Sequence, residues 1–165
     1  MGYTKIISQT WASNYQVREV FLGDNLYQKT LNYLKKQKYL ELGNLKAKRD
    51  WGHAREYVEA MWLMLKQKTP DDFVISTGKQ VSVKNFVNMA AKLLNMKITW
   101  KGSGINEKAY DINKKVIVSC DKAYYRPLEV NTLLGSSKKA FNKLKWRPKT
   151  DLKELIIEMI NEEMK

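Results

Sequence analysis

Residues 48–53, KRDWGH, set two cations, an acid, a glycine and the only histidine of the chain side by side. Such a group could move protons, clamp an anion, or simply start a helix with polar punctuation. A second segment, YYRPLEV at 124–130, likewise carries an Arg at the edge of an element with an acid a few residues on. A diphosphate needs donors that bridge two phosphates, which guanidinium does bidentately and ammonium does only as a point charge. Arg49 falls beside the expected start of a helix, where the dipole also favours anions. Arg126 is held extended by Pro127, and Glu129 could accept from a vicinal diol such as a ribose 2′,3′ pair. The competing reading of each Arg is an ion pair. Asp50 reads as the N-cap of the following helix, and His53 as a hydrogen-bonded structural residue.

Other chemistries fail on residue type or spacing. GSGINE at 102–107 follows a strand, but Glu107 occupies the position where a dinucleotide turn needs its third Gly. Tyr110 and Lys114 have the spacing of a hydride-transfer acid/base pair, yet such pairs arise by chance among nine Tyr and so many Lys. His53 has no second His for a metal site, and a hydrolytic triad lacks a nucleophile elbow. One cysteine, Cys120, excludes an internal disulfide framework and a Cys-based zinc site.

The 165 residues suit one domain of ordinary size, and the net charge of +13 raises nucleic-acid binding as an option. The excess is spread along the chain, and only Arg18, Arg49, Arg55, Arg126 and Arg147 among the 30 basic residues are Arg. A solvated Lys-rich surface accounts for it better than a nucleic-acid footprint. The first residues lack the apolar run of a signal peptide, and no window reaches the length of a membrane span. Cytoplasmic residence without membrane contact is the expectation.

Short strands and sizeable helices must position these groups. Helical spacing runs through 24–37, and YLELG at 39–43 alternates as a short strand. After Asp50, residues Ala54, Tyr57, Val58, Met61, Trp62 and Leu65 form the expected inner face of a helix. FVIST at 73–77 reads as a buried strand. Ser82 caps a second helix, with Val83, Phe86, Val87, Ala90 and Leu94 facing inward. KITW at 97–100 and VIVSC at 116–120 read as strands with a polar loop between them. Ser136 or Ser137 starts a third helix with Ala140, Phe141 and Leu144 inward. Asp151 and Glu154 form a capping box for the last, whose face is Leu152, Leu155, Ile156, Met159 and Ile160. The class is mixed α/β, without the strand–helix alternation of a complete doubly wound sheet.

Around the two Arg segments the sequence resembles the C-terminal part of the GDP-mannose 4,6-dehydratase family, extended short-chain dehydrogenases/reductases. The blocks are LGNLKAKRDWGHAREYVEAMWLML, PDDFVISTG, SVKNFV, YYRPLEV with LLG following, and KLKWRP. The resemblance implies a divergent segment over 1–38 and a sugar-nucleotide (substrate) binding domain over 39–165. It also implies that Arg49 and Arg126 contact the diphosphate of GDP-mannose or GDP, Glu129 the ribose, and Leu42, Gly43 and Asn44 the guanine. The complete family enzyme uses NADP to make GDP-4-keto-6-deoxymannose. Its Rossmann domain, Gly-rich cofactor turn and catalytic Thr, Glu, Tyr and Lys have no counterpart here. The expectation is a truncated, substrate-binding portion, inactive alone and holding no cofactor itself. The alternative is a non-catalytic module that pairs with a separate Rossmann chain or with copies of itself through Tyr57, Met61 and Trp62. Residues 15–26, YQVREVFLGDNL, keep Arg18 and Phe21 but lose the Arg-Arg-Gly pattern of the family's intersubunit cofactor loop.

Overall fold

A computed structural model describes residues 39–125 and 132–163. The helix expected over 24–37 lies outside them, as do Arg18, Phe21, Arg126 and Glu129. Strand β1 (Leu40–Leu42) pairs in parallel with β6 (Val116–Cys120), placing Leu40 opposite Val118 and Leu42 opposite Cys120. The sheet continues antiparallel through β5 (Lys108–Tyr110) to β4 (Thr99–Lys101), in the order β1-β6-β5-β4. A separate two-stranded ribbon joins β2 (Lys48–Asp50) to β3 (Gln80–Ser82), with Arg49 opposite Val81.

β6 forms because Val116, Ile117 and Val118 suit a pleated, buried surface, and Ile117 to Cys120 are all buried. The expected polar loop before it is in part a hairpin. Asp111 Oδ1 accepts the amides of Asn113 and Lys115 at 2.9 and 2.8 Å, and Lys114 takes φ +61°. That turn folds β5 back on β6, with Ala109 fully buried between Trp100 and Val118 of the flanking strands. β4 begins two residues later than the expected strand.

Among the described residues there are four α-helices: α1 (Ala54–Leu65), α2 (Val83–Leu93), α3 (Lys138–Leu144) and α4 (Leu152–Glu163). Ser82 Oγ accepts from Asn85 N at 3.2 Å and starts α2 as expected. At α4 the capping box closes reciprocally, Asp151 N donating to Glu154 and Glu154 N to Asp151. α3 follows Ser137, whose side chain makes no cap bond.

Several expectations are corrected. Asp50 does not cap α1; His53 does, its Nδ1 accepting from Arg55 N at 3.1 Å. The inner face of α1 is Glu56, Tyr57, Ala60 and Met64, leaving Ala54, Val58, Trp62 and Leu65 exposed. The helix is turned by a carboxylate that finds donors inside, not by Trp62 seeking burial. Phe141 likewise faces water while Ala140 and Leu144 face in. Residues 73–77 form no ladder, although Phe73, Ile75 and Ser76 are buried.

Three buried clusters result. Tyr57, Ala60 and Met64 meet Phe73, Ile75, Leu144 and Trp146 between α1 and α3. Leu42, Leu45, Ala109, Val118 and Cys120 pack on the four-stranded sheet. Trp51, Phe86, Ala90 and Ile156 join the ribbon to α2 and α4, and the Trp51 and Phe86 rings stand 4.4 Å apart.

Candidate functional site

The chain leaving β1 at Gly43 meets the chain leaving β6 at Tyr124 at the carboxyl ends of this parallel pair, the edge at which open α/β sheets bind ligands. Leu42 is buried in the core, so it offers its backbone, and its carbonyl accepts from Asp121 N at 2.8 Å. Gly43 passes directly over the chain before Arg126: a Cβ there would lie 2.3 Å from the carbonyl oxygen of Tyr124. The Gly43 carbonyl in turn accepts from the Cys120 thiol at 3.4 Å. Asn44 is half-buried, and its Oδ1 accepts from Lys46 N at 3.0 Å, closing an Asx turn. Beyond Cys120 the chain makes a single 3₁₀ turn, Lys122–Tyr124, capped by Asp121.

Arg49 stands on β2, not in the first turn of a helix. It is buried, at 5% exposure, and its Nη1 donates to the Lys48 carbonyl at 2.9 Å. Thr132 lies in a parallel bridge with Lys48. The chain flanking Arg126 and Glu129 therefore starts beside Gly43 and returns beside Arg49. Those two residues themselves lie outside the described residues.

The residues after Arg49 each tie β2 to another element. The Asp50 carboxylate accepts the amides of Thr77 and Gly78, both at 2.8 Å, and the Tyr57 hydroxyl at 3.4 Å. Burial, then the charge of Asp50 and its hydrogen bond, push the Tyr57 phenol well above its ordinary range, so it stays a donor. Trp51 Nε1 donates to the Val81 carbonyl at 2.8 Å. Gly52 is required because a Cβ would meet the Tyr57 hydroxyl at 2.1 Å. Because His53 Nδ1 accepts the cap bond, Nε2 carries the proton and donates to Glu158 on α4 at 3.0 Å.

Sequence reasoning missed two buried acids. Glu56 accepts Lys149 N, Thr150 N and the Thr150 hydroxyl, the last at 2.7 Å. Burial alone would raise its carboxyl, but the Thr150 hydroxyl and the two amides outweigh that and hold it below the ordinary range. Glu107 pairs with Lys84 at 2.5 Å. An acid inside an otherwise apolar helix face was the only signal for the first. For the second, the signal was an acid where a glycine turn would have needed Gly.

The dinucleotide turn is absent from the described residues. Gly102 and Gly104 have positive φ, but they serve the 3₁₀ turn Gly104–Asn106 and not the start of a long helix. Residues 102–107 therefore supply no dinucleotide-binding turn. They also hold no group of three or more His, Cys, Asp and Glu suited to a metal ion, and no helix long and apolar enough to cross a membrane.

This arrangement of sheet and helices is that of the extended short-chain dehydrogenases. RMD from Pseudomonas aeruginosa, solved with NADPH, superposes on 99% of this chain and 46% of its own, with a TM-score of 0.59 at 13% identity. The dTDP-glucose 4,6-dehydratase of Bacillus anthracis, solved with NAD, matches 81% of this chain and 37% of its own, with a TM-score of 0.56 at 18% identity. At the level of sequence, the family described as GDP-mannose 4,6 dehydratase matches residues 4–159, reaching well ahead of the motif blocks. GDP-mannose 4,6 dehydratase 2 of Caenorhabditis elegans is 51% identical over 127 residues, covering 77% of this chain and 33% of the relative. The human GDP-mannose 4,6 dehydratase is 47% identical over 130 residues, covering 78% and 35%. The chain belongs to the GDP-mannose 4,6-dehydratase family. It spans about a third of the length of these relatives.

Proposed function

We propose that residues 39–165 are the substrate-binding part of a GDP-mannose 4,6-dehydratase and hold the GDP moiety of GDP-mannose. The observation that supports this reading is the contact of Gly43 with Tyr124 at the end of the parallel pair, with Thr132 beside Lys48 on the ribbon, so that the chain on either side of the second motif segment comes next to the first. On this reading residues 42–44 face the guanine, Arg49 and Arg126 take the diphosphate, and Glu129 takes the ribose hydroxyls. The diphosphate carries the largest charge of the ligand, so bidentate guanidinium contacts dominate its affinity. NADP, when bound to a complete family enzyme, supplies the hydride chemistry. The residues described here bind and orient substrate and carry no step of that chemistry.

Calorimetry of the chain with GDP tests this. Saturable binding is expected, lost in Arg126→Ala and lost likewise when guanosine, which has no diphosphate, replaces GDP. Absence of heat at millimolar GDP overturns the reading. Val58, Trp62 and Leu65, exposed by 61, 58 and 67%, favour a companion role for α1 as the surface that meets a Rossmann-domain chain or a second copy. Sedimentation showing a monomer at all concentrations, with or without such a chain, would remove that role.

A further inference from the structure

We propose that the buried Lys84–Glu107 ion pair is a positioning device that fixes residues 42–45 in the shape that reads the guanine base, an inference that rests on the site assignment above. Lys84 lies in the first turn of α2, and Glu107 follows the 3₁₀ turn ahead of β5. The Glu107 side chain is 6% exposed and that of Lys84 33%. Stability alone does not call for such a pair, because apolar residues of similar volume commonly replace one without loss. Its surroundings would accept them: the Trp100 ring lies 4.9 Å from Nζ, and Cys120 is close enough for the charge of Glu107 to act on its thiol.

What the pair does is tie α2, which holds the base-binding segment from one side, to Glu107, whose carbonyl is bonded by Cys120 at the end of β6, the support on the other side. From α2, Lys84 N donates to the Leu45 carbonyl at 3.0 Å and Val83 N to that of Ala47 at 3.1 Å. From the other side, Cys120 N donates to the Glu107 carbonyl, the Cys120 thiol to that of Gly43, and Asp121 N to that of Leu42. The carbonyls of residues 42, 43, 45 and 47 are thus all gripped by donors on the two sides that the ion pair spans. Without it, the strut that runs from α2 through Glu107 to the end of β6 is lost, and the segment held by α2 and β6 loses its fixed spacing. Arg49 stands on the other sheet and keeps its place.

Glu107→Gln is the informative variant, because Lys84 is exposed enough to turn its charge to water. Hydrogen exchange followed by mass spectrometry should show residues 43–47 exchanging at least tenfold faster, with α1 and α4 unchanged. In calorimetry the GDP Kd should rise at least tenfold while that of pyrophosphate stays within twofold. Lys84→Arg, which keeps the pair, should behave as wild type in both. Unchanged exchange at residues 43–47 overturns the proposal, as does acceleration shared equally by α1 and α4, which would mark simple loss of stability. If Glu107→Gln does not fold, the doubly apolar K84M/E107L variant strands no charge and is read by the same criteria. A wild-type chain that binds no GDP removes the site assignment, and the exchange result still decides whether the pair orders the loop.

Discussion

Replacing Glu56 by Gln isolates the carboxylate that turned α1 away from its expected face. Its two oxygens accept three donors from residues 149 and 150, more than 90 positions away in sequence. Hydrogen bonds to a charged acceptor contribute about 1.5–3 kcal/mol each when buried. The Glu56 carboxylate lies just beneath the surface, so solvent screening reduces these values. Glutamine keeps one acceptor oxygen and turns an amide N–H toward a backbone N–H, losing at least one bond. A cost of about 1.5 kcal/mol follows, a urea midpoint shift of about 1 M at an m-value near 1.5 kcal/mol per M. The pH dependence is the sharper test. Because the folded carboxyl is held below its ordinary value, its contribution is complete above the ordinary carboxylate range. It is lost as pH falls through the depressed folded value. The gap between wild type and Glu56→Gln should therefore be widest near pH 7 and close toward strong acid. Urea unfolding of both chains at several pH values reads it directly. No gap at neutral pH, or a gap independent of pH, would refute the reasoning.

Gly43→Ala forces a Cβ against the Tyr124 backbone; about 1–3 kcal/mol of stability should be lost, and GDP titration should show at least a tenfold weaker Kd. His53→Ala removes the cap of α1 and the Glu158 contact, at a cost of about 1 kcal/mol by thermal unfolding, and Asn at that position should restore most of it. Burial, followed by the charge of Glu107, pushes the Cys120 thiol above its ordinary value. A colorimetric thiol reagent should accordingly react slowly with the folded chain at pH 8 and rapidly once urea unfolds it.

What was legible in the sequence was local. The Ser82 cap, the Asp151–Glu154 box and the VIVSC strand depend on residues within four positions of one another. Their signals survive without knowledge of the rest. β2, β3 and β5 have three residues each, too few for a period to register, and β2 finds its partner some 30 positions on. Asp50 had the right type and place for a cap, but two amides of the 77–78 turn compete for its carboxylate and win. The face of α1 departs from its apolar pattern because Glu56 finds donors at residues 149 and 150 that only the folded chain supplies. At the candidate site, the nearness of Gly43 to Tyr124 follows from no spacing rule. It arises from parallel pairing, which brings together segments that lie far apart along the chain.

That pairing also sets an order of assembly. Leu40 can meet Val118 only after everything between them has been made, so during synthesis β1 waits unpaired while its neighbours emerge at roughly 5–20 residues per second. For several seconds an incomplete apolar edge faces the cell, relieved only by Glu41 in its middle. The parallel junction of β1 with β6 is therefore closed to a growing chain until β6 has emerged, with α3 and α4 docking later still, and a chaperone that shields residues 39–43 until then would cover the edge while it is unpaired.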